Sequence, residues 1–261
     1  MKKLSNVTYL TILGRENPVP HENHEVINRI VKLASNWFEF GAVKLLSAQS
    51  KEQCPLNDQI EYVNIKPMDQ IEYNKFCVED LHKYVDTDYV ILFQTDGFIL
   101  NGELWNDDFL KYDYIGSPWP FIYNTHTKGY QFIGSMGQKY PKDFRIDYLC
   151  GNGGFCLRSK KFLKLSSELK YKPEHDHYDF NPEDNFLCVE NRHYFLENDC
   201  KFSEPVIGAS FSYESDLVYL EEGEIKVNPL DPNQSFGFHG VHQKQETFFT
   251  KLIKRLLYNQ I

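Results

Sequence analysis

The sequence lacks several features that would place it in a specialised class of proteins. It has no run of about 18–20 apolar residues, the length that a helix needs to cross a membrane. Its six cysteines form no Cys-x-x-Cys pair and no cysteine–histidine spacing typical of a zinc site. Acidic residues outnumber basic ones by 37 to 28, and the formal net charge of −9 argues against binding to nucleic-acid phosphates. These absences predict a soluble, cytoplasmic protein with buried free thiols and no nucleic-acid partner.

The chain also lacks internal repeats, low-complexity tracts and linkers that would divide it. Its 261 residues are a length that a single α/β domain can fill. We therefore predict one domain over residues 1–246 and an amphipathic helix over residues 247–261. Basic side chains lie between the apolar ones of this helix. It can therefore lie on an anionic membrane, as a peripheral contact, or dock on the protein's own core.

The first hundred residues alternate between strand and helix patterns. Strands are predicted over residues 7–14, 42–48, 60–65 and 88–93, and helices over residues 22–37 and 69–84. This alternation predicts an α/β fold with a mostly parallel central sheet flanked by helices. Ligands of such sheets bind beyond the carboxyl ends of the strands. The residues that directly follow residue 93 are therefore well placed for function.

The second half of the chain is less regular. Its patterns predict a short helix over residues 104–110, loops over a cleft at residues 115–137, helices over residues 157–169 and 182–196, and a strand over residues 206–212.

The first candidate motif, Gln94-Thr95-Asp96-Gly97, directly follows the strongest predicted strand. A carboxylate beside a flexible glycine suits Mg²⁺ or Mn²⁺, ions that take oxygen ligands and keep positions for phosphate and water. Asp followed by Gly is also common in plain turns, so the motif alone leaves both interpretations open.

A glycine-rich segment, Gly151-Asn152-Gly153-Gly154-Phe155, is the second candidate motif. Three glycines in four residues allow backbone to approach a ligand closely. With a helix predicted directly afterwards, backbone N–H groups would also face an anion. A plain tight turn explains the same glycines.

The third motif is the acidic pair Glu183-Asp184, which follows Pro182 at the start of a predicted helix. A carboxylate here can act as a general base that removes a proton from an acceptor hydroxyl. Acidic side chains in the first turn of a helix are also favoured by the helix dipole alone.

The fourth motif places His239 among glycines and aromatic residues, in Phe236-Gly237-Phe238-His239-Gly240. An imidazole is a good ligand for ions of the Mn²⁺ class. A core histidine bonded to backbone is the alternative interpretation.

Taken in this order, the four motifs resemble the ordered set shared by glycosyltransferases of the GT-A fold. More closely, residues 93–97, 112–119, 151–159 and 182–184 resemble a family of glycosyltransferase-like proteins, in a match that runs from about residue 7 to residue 240. The resemblance implies transfer of a sugar from a nucleoside-diphosphate sugar (a UDP- or GDP-sugar) to a hydroxyl of a glycan or glycoconjugate. It also implies inversion at the anomeric carbon, Mn²⁺ or Mg²⁺ as cofactor, and a place in polysaccharide biosynthesis.

The resemblance also assigns roles to individual residues. Asp96 and His239 would bind the metal, and Asp184 would be the catalytic base with Glu183 beside it. Gly151, Asn152, Gly153, Gly154 and Phe155 would line the donor and acceptor pockets. Apart from the resemblance, Trp119 is a candidate for stacking on the acceptor sugar, and core packing is the alternative explanation for it. The donor would contact Thr11, Gly14 and Arg15 after the first strand, and Gln94, Thr95, Asp96 and Gly97 after the fourth. One departure stands out, because Gln94 occupies the position of the first acid in the family's Asp-x-Asp motif.

Two other functions fit parts of the same pattern. A nucleotidyltransferase shares the sheet, the metal and the nucleotide, but it usually carries a basic glycine-rich loop near the first strand. Only Gly14-Arg15 is present there. A catalytically silent carbohydrate-binding protein would explain Gln94, and hydrolysis of a donor that is lost on chelation of metal would exclude it.

Overall fold

The computed structural model describes residues 1–17, 22–53, 56–127, 129–132, 139–174 and 181–240. Its strands are β1 (Lys2–Leu13), β2 (Phe38–Ser47), β3 (Glu61–Asn64), β4 (Tyr89–Phe93), β5 (Tyr114–Ile115), β6 (Pro118–Asn124), β7 (Gly129–Phe132), β8 (Phe144–Cys150), β9 (Phe155–Ser159), β10 (Ser212–Tyr213), β11 (Leu217–Glu221), β12 (Glu224–Asn228) and β13 (Gly237–Phe238). Its α-helices are α1 (His24–Ala34), α2 (Gln70–Glu79), α3 (Lys160–Glu168), α4 (Glu183–Asn185), α5 (Arg192–Glu197) and α6 (Pro205–Phe211).

Six strands form the central sheet, in the order β3-β2-β1-β4-β9-β5. The four strands from the first hundred residues are parallel to one another, whereas β9 runs antiparallel to β4 and β5 antiparallel to β9. The predicted α/β fold with a mostly parallel sheet flanked by helices is therefore confirmed.

The apolar run of β1 is buried on both faces of this sheet. Tyr9 and Leu10 are consecutive and both fully buried, and they point to opposite faces as strand geometry requires. Tyr9 belongs to the core that contains Ile27 and Ile30 of α1, whereas Leu10 belongs to the core that contains Phe162 of α3. A strand that helices cover on both faces has a nearly continuous apolar sequence, which explains why β1 could be predicted.

Helix starts in the first half follow from local side-chain hydrogen bonds. The Asn23 side chain accepts a hydrogen bond from the backbone of Val26 and begins α1. Asp69 and Glu72 form a reciprocal capping box that begins α2. The predicted helices at residues 22–37 and 69–84 are thus present with shorter bounds, and a 3-10 turn at Leu81–Tyr84 completes the second.

The prediction of loops over residues 115–137 is wrong for the part that the structure describes. Strands β6, β7 and β8 form a three-stranded antiparallel sheet there, in the order β7-β6-β8. Strand β6 was not predicted because it contains Pro118 and Pro120, and proline rarely occurs inside a sheet. Among the described residues, both prolines pair only with β8, since the described pairing with β7 begins at Phe121.

Other elements of the second half also differ from their prediction. Residues 157–159 belong to β9, and the helix α3 begins only after Ser159, whose hydroxyl caps it. Residues predicted as a strand at 206–212 form helix α6, which opens with Pro205 in its first turn. The short helix at 104–110 is replaced by two 3-10 turns, Gly102–Leu104 and Asp107–Lys111. The helix at 182–196 is present as α4, a π-helical segment Phe186–Glu190, and α5.

The prediction of buried free thiols is confirmed for the five cysteines within the described ranges, Cys77, Cys150, Cys156, Cys188 and Cys200. Cys54 and the predicted C-terminal helix lie outside the described residues. Among the helices that the structure describes, none has the length and apolar character needed to span a membrane.

Candidate active site

A cavity of about 280 Å³ opens at the carboxyl ends of β1 and β4. Six of the seven residues predicted to contact the donor line it: Thr11, Gly14, Arg15, Gln94, Thr95 and Asp96. Met68 and Tyr73, which sequence reasoning did not select, lie beside them. Parallel strands end at the same edge of the sheet, so two segments about eighty residues apart in sequence meet here.

The Gln94-Thr95-Asp96-Gly97 motif forms a tight turn directly after β4. The backbone N–H of Gln94 donates to the carbonyl of Gly97 at 2.9 Å, and that of Gly97 donates back to Gln94 at 3.1 Å. The Gln94 side chain is held by a 3.2 Å hydrogen bond to the hydroxyl of Tyr73. At the tip of the turn, the Asp96 side chain is 47% exposed, so its carboxylate remains available to a ligand.

Gly97, the seventh residue of the predicted donor-binding set, has a different position. It does not line the cavity but faces His239, and a Cβ added at this glycine would lie 2.9 Å from Cδ2 of that ring. The glycine therefore allows the turn to approach the histidine closely.

His239 is brought to the turn by backbone hydrogen bonds at the end of β13. Its N–H donates to the carbonyl of Tyr213 at 2.9 Å, and the N–H of Gly240 donates to the carbonyl of Asp96 at 3.0 Å. As a result, Nε2 of His239 lies 3.9 Å from Oδ1 of Asp96. Burial lowers the pKa of the His239 imidazole, but the neighbouring carboxylates of Glu214, Asp96 and Asp184 outweigh burial and hold the pKa above its ordinary value. The surroundings of this ring favour positive charge.

Asp96 and His239 fit the requirements of a divalent cation with two protein ligands. In octahedral coordination, bonds of about 2.1 Å place two ligand atoms about 3.0 Å apart when adjacent and about 4.2 Å apart when opposite. The observed 3.9 Å lies between these two separations, so a small movement of either side chain would complete the pair. Within the part of the chain that the structure describes, no group of three or more His, Cys, Asp or Glu side chains surrounds a possible ion position. An ion bound here would therefore keep positions for phosphate and water.

Asp184 lies on the other side of the glycine-rich loop. One carboxylate oxygen accepts a hydrogen bond from the N–H of Gly153 and the other from the N–H of Asn185, both at 2.8 Å. Burial and the charge of Glu183 raise the pKa of Asp184, the two N–H groups lower it, and the net pKa is about 7. A carboxylate with a pKa near neutrality is well matched to general-base work.

Glu183 does not share this role, which corrects its prediction as a catalytic residue. Its carboxylate accepts a 2.6 Å hydrogen bond from the Arg158 guanidinium, and both side chains are buried. Arg158 also stacks over the Tyr114 ring, with 5.4 Å between the guanidinium carbon and the ring centroid. Glu183 therefore joins α4 to β9 through a buried ion pair, which fixes the neighbouring Asp184 in place.

The glycine-rich loop is a buried segment beside Asp184 and His239, and its contact with substrate stays a prediction. All five residues from Gly151 to Phe155 are buried, and Phe155 stacks on Phe211 in the core. Asn152 adopts a left-handed conformation (φ 66°), and its side-chain oxygen accepts hydrogen bonds from the N–H groups of Gly154 and Phe155. Since a strand and not a helix follows the loop, its N–H groups do not form the predicted helix-terminal anion site.

The glycines of this loop are required by three side chains that pack against them. A Cβ would meet the Trp119 ring at 2.4 Å from Gly151, the Glu183 carboxylate at 2.3 Å from Gly153, and His239 Nε2 at 2.0 Å from Gly154. Consecutive Cα atoms are about 3.8 Å apart. Because Gly153 and Gly154 are consecutive, the groups that contact them, the Glu183-Asp184 pair and His239, lie close together.

Glu214 is a member of this site that sequence reasoning missed. Its Oε2 accepts a 2.8 Å hydrogen bond from the indole N–H of Trp119, and its Oε1 lies 3.4 Å from Nδ1 of His239. Burial raises the pKa of the Glu214 carboxyl, but contacts with His239, Trp119 and Asn152 outweigh it and hold the pKa below its ordinary value. No local pattern marks this residue, because its partners are far away in the sequence.

The close approach of Gly154 to His239 leads to a testable prediction. In Gly154→Ala, the new methyl group would overlap the imidazole, so we expect the ring to turn away and the free energy of unfolding to fall by about 1–3 kcal/mol. Urea unfolding and titration with Mn²⁺ measure the two effects. Gly14→Ala is the matched control for stability, because the nearest atom to its Cβ would be the flexible end of Met68, at 3.3 Å. Equal Mn²⁺ affinity in Gly154→Ala and the native protein would contradict this prediction.

Comparisons with known proteins place the chain in a family. The family model described as "Protein of unknown function (DUF5672)" matches residues 58–239, a range that includes Asp96, Asp184 and His239. No curated protein matches the chain.

Three solved structures are similar at low identity. The bifunctional IspDF from Campylobacter jejuni is 9% identical with a TM-score of 0.42, over 76% of this chain and 48% of that one. This chain thus spans about half the length of IspDF. The 4-diphosphocytidyl-2C-methyl-D-erythritolsynthase from Anaerococcus prevotii is 11% identical (TM-score 0.42, 76% of this chain and 88% of that one). HddC from Yersinia pseudotuberculosis is 14% identical (TM-score 0.38, 76% and 100%).

Proposed function

This chain belongs to the family described as protein of unknown function (DUF5672), and we propose an activity for it from the site itself. We propose that it is a glycosyltransferase that moves a sugar from a nucleoside-diphosphate sugar to a hydroxyl group of a glycan or glycoconjugate. The donor is a UDP- or GDP-sugar, and the transfer is assisted by Mn²⁺ or Mg²⁺.

One observation carries the proposal. Asp96 lines the cavity and also lies 3.9 Å from His239. Gly154 packs against His239, and the residue before it, Gly153, donates a hydrogen bond to Asp184. A cavity, a pair of metal-ligand side chains and a carboxylate with a pKa of about 7 therefore adjoin one another. Transfer from a diphosphate needs these three parts together: a binding pocket, a counter-charge for the leaving group, and a base for the attacking hydroxyl.

Each part of the site has a separate task in this proposal. The cavity beside Thr11 and Gln94 holds the nucleoside, with the diphosphate directed towards Asp96. Asp96 and His239 would hold the metal ion, which as a Lewis acid neutralises the charge that builds on the leaving diphosphate. Trp119, fixed by Glu214 and packed on Gly151, presents part of its ring to the sugar or the acceptor.

Asp184 acts on the acceptor. Its carboxylate accepts the proton of the attacking hydroxyl as the new glycosidic bond forms to the anomeric carbon and the bond to the diphosphate breaks. Attack from the face opposite the leaving group inverts the anomeric centre. The hydrogen bond from Gly153 keeps one oxygen of Asp184 oriented, and the pKa of about 7 makes the carboxylate a strong enough base to take up the proton.

A panel of nucleotide sugars tests this function. The purified protein is mixed with each donor and Mn²⁺, and the melting temperature and the release of nucleoside diphosphate are recorded. We expect one donor to stabilise the native state by about 2.7 kcal/mol at a hundredfold excess over Kd. We also expect slow hydrolysis of that donor, and weakening of both effects in Asp96→Ala and on chelation of metal.

The panel also separates the alternatives. Binding of a sugar without hydrolysis, under any condition, would replace the proposal with a catalytically silent carbohydrate-binding protein. Release of pyrophosphate from a nucleoside triphosphate mixed with a sugar phosphate would replace it with a nucleotidyltransferase. If neither donors nor free nucleotides bind, the cavity at β1 and β4 is not a nucleotide site.

A further inference from the structure

Glu214 contacts the site from outside the cavity. It directly follows β10, and its side chain is only 17% exposed. Each of its two carboxylate oxygens faces a different ring of the site. Oε2 accepts the indole N–H of Trp119 at 2.8 Å, and Oε1 lies 3.4 Å from Nδ1 of His239.

The two nitrogens of His239 face two different carboxylates. Nε2 points towards Asp96 at 3.9 Å, which is the direction of the proposed ion, whereas Nδ1 points towards Glu214. Nδ1 is buried and forms no hydrogen bond within the described chain, and the Glu214 carboxylate, at 3.4 Å, is the acceptor that faces it. A carboxylate beside Nδ1 favours the tautomer that carries its proton there, and that tautomer leaves the lone pair of Nε2 free for a metal.

From this arrangement we propose that Glu214 is the positioning residue of the metal site. It holds the Nδ1–H of His239, which fixes the tautomer and the rotation of the ring, and so directs Nε2 to the ion shared with Asp96. Its second oxygen holds Trp119, so that the metal-binding histidine and the substrate-facing indole are oriented by the same carboxylate. This inference rests on the proposed metal-assisted function.

The decisive variant is Glu214→Gln, which keeps the size of the side chain and removes its charge. A glutamine has one acceptor oxygen and one N–H₂ group, whereas both of its neighbours present N–H donors. It can therefore satisfy only one of the two rings. Loss of an outer-shell partner of this kind typically weakens metal binding by about 10–100-fold, and we expect a loss of this size for Mn²⁺ alone.

Two measurements on the full chain report on the inference. The affinity for Mn²⁺ is obtained from the electron paramagnetic resonance signal of the free ion, without any nucleotide present. The tautomer of His239 is obtained from the ¹⁵N chemical shifts of the ring at a pH where it is neutral, without metal. We expect the Nδ1–H form in the native protein and a mixture of tautomers in Glu214→Gln, a change that loss of folding stability alone does not produce.

Two control variants make the result specific. Glu221→Gln removes the same charge from an exposed position on β11 and should change the affinity for Mn²⁺ less than twofold. Trp119→Phe removes the other hydrogen bond of Glu214 and should likewise preserve most of the affinity. If Trp119→Phe lost as much affinity for Mn²⁺ as Glu214→Gln, the loss would indicate general damage to the site and would overturn the inference.

The remaining outcomes separate this inference from the proposed function. Equal Mn²⁺ affinity and an unchanged tautomer in Glu214→Gln would overturn the positioning role and leave the glycosyltransferase proposal intact. Absence of Mn²⁺ binding in the native protein would overturn both the metal site and this role. Hydrolysis of a nucleotide sugar that is indifferent to Mn²⁺ would then keep the transferase proposal alone.

Discussion

Replacing Asp184 by asparagine should lower turnover by about 10²–10⁴-fold, because the acceptor hydroxyl loses the base that takes its proton. Asparagine has the same size, and its single oxygen can accept the hydrogen bond from one of the two N–H groups, of Gly153 and Asn185, that donate to Asp184. Binding of the donor should therefore change little. Steady-state kinetics should show this as a fall in kcat at nearly constant KM for the nucleotide sugar, and direct binding of the donor provides the independent check.

The pKa of Asp184 adds a pH signature to this prediction. Only the ionised carboxylate can accept a proton, so kcat/KM of the native protein should rise about tenfold per pH unit below pH 7 and level off above it. The Asp184→Asn variant should lose this dependence. A native profile that is flat between pH 5 and about pH 8, or an Asp184→Asn variant with native turnover, would remove Asp184 from the chemistry.

Stability separates this loss of turnover from unfolding. The pKa of Asp184 is raised in the folded state, from an ordinary 3.8 to about 7, so between these values the folded state binds more protons than the unfolded state. This group therefore makes the protein less stable as pH rises through that window. Asp184→Asn should remove this fall in stability with rising pH, although one of the two backbone N–H groups then loses its acceptor, and urea unfolding at several pH values measures the change. Asp58→Asn, at an exposed turn, is a control that should affect neither turnover nor stability.

Replacing Glu183 by glutamine should instead destabilise the protein by about 3–5 kcal/mol. The Arg158 guanidinium is fully buried, and its contact with the Glu183 carboxylate at 2.6 Å compensates its charge. Burial lowers the pKa of the Arg158 guanidinium, but the neighbouring thiol, phenol and carboxylate groups outweigh burial and hold this pKa above its ordinary value. Arg158 therefore stays protonated. The variant would therefore bury an uncompensated charge, and urea unfolding followed by fluorescence measures the cost.

An exposed ion pair supplies the contrast for this result. Lys111 and Asp108 are 2.7 Å apart with side chains 70% and 56% exposed, so Lys111→Met should cost less than about 1 kcal/mol. The double variant Arg158→Met/Glu183→Gln should regain part of the loss, since neither charge is then buried alone. A cost for Glu183→Gln as small as that for Lys111→Met would show that this ion pair is not a structural link between α4 and β9.

The first half of the fold could be read from the sequence because its local and global signals agree. Buried parallel strands carry continuous apolar runs, and the helices between them begin at recognisable caps such as Asn23 and Asp69. The end of β4 could likewise be identified as functional, since ligands of such sheets bind at strand ends.

Predictions for the second half of the fold were wrong where tertiary contacts determine the local structure. Residues 206–212 are rich in strand-forming types, yet they form α6 because Pro205 starts a helix and Ala209 and Phe211 complete the core from it. The glycines within residues 151–154 correctly predicted a close approach to the backbone, but they did not predict which groups approach it. The neighbours are the protein's own Trp119, Glu183 and His239, and spacing in a sequence does not contain that information.

The same limit applies to the acidic residues of the site. Glu183 and Asp184 are adjacent carboxylates in the sequence, and only the fold shows that Glu183 pairs with Arg158 whereas Asp184 accepts hydrogen bonds from backbone N–H groups. Glu214 had no signal at all, because its interactions with Trp119 and His239 join segments that are distant along the chain. Long-range contacts of this kind set the roles of charged groups after the fold has been specified.

The order in which the chain reaches its site has a consequence for how the protein is made. Every residue that lines the cavity has been synthesised by residue 96, and the two strands that carry it, β1 and β4, pair with each other within that part of the chain. Asp184, Glu214 and His239 emerge from the ribosome much later and must close long loops to reach Asp96, which makes their docking entropically costly and slow. We therefore expect a nascent chain to form the walls of its cavity first and to become chemically competent only when β13, the last strand that the structure describes, is in place.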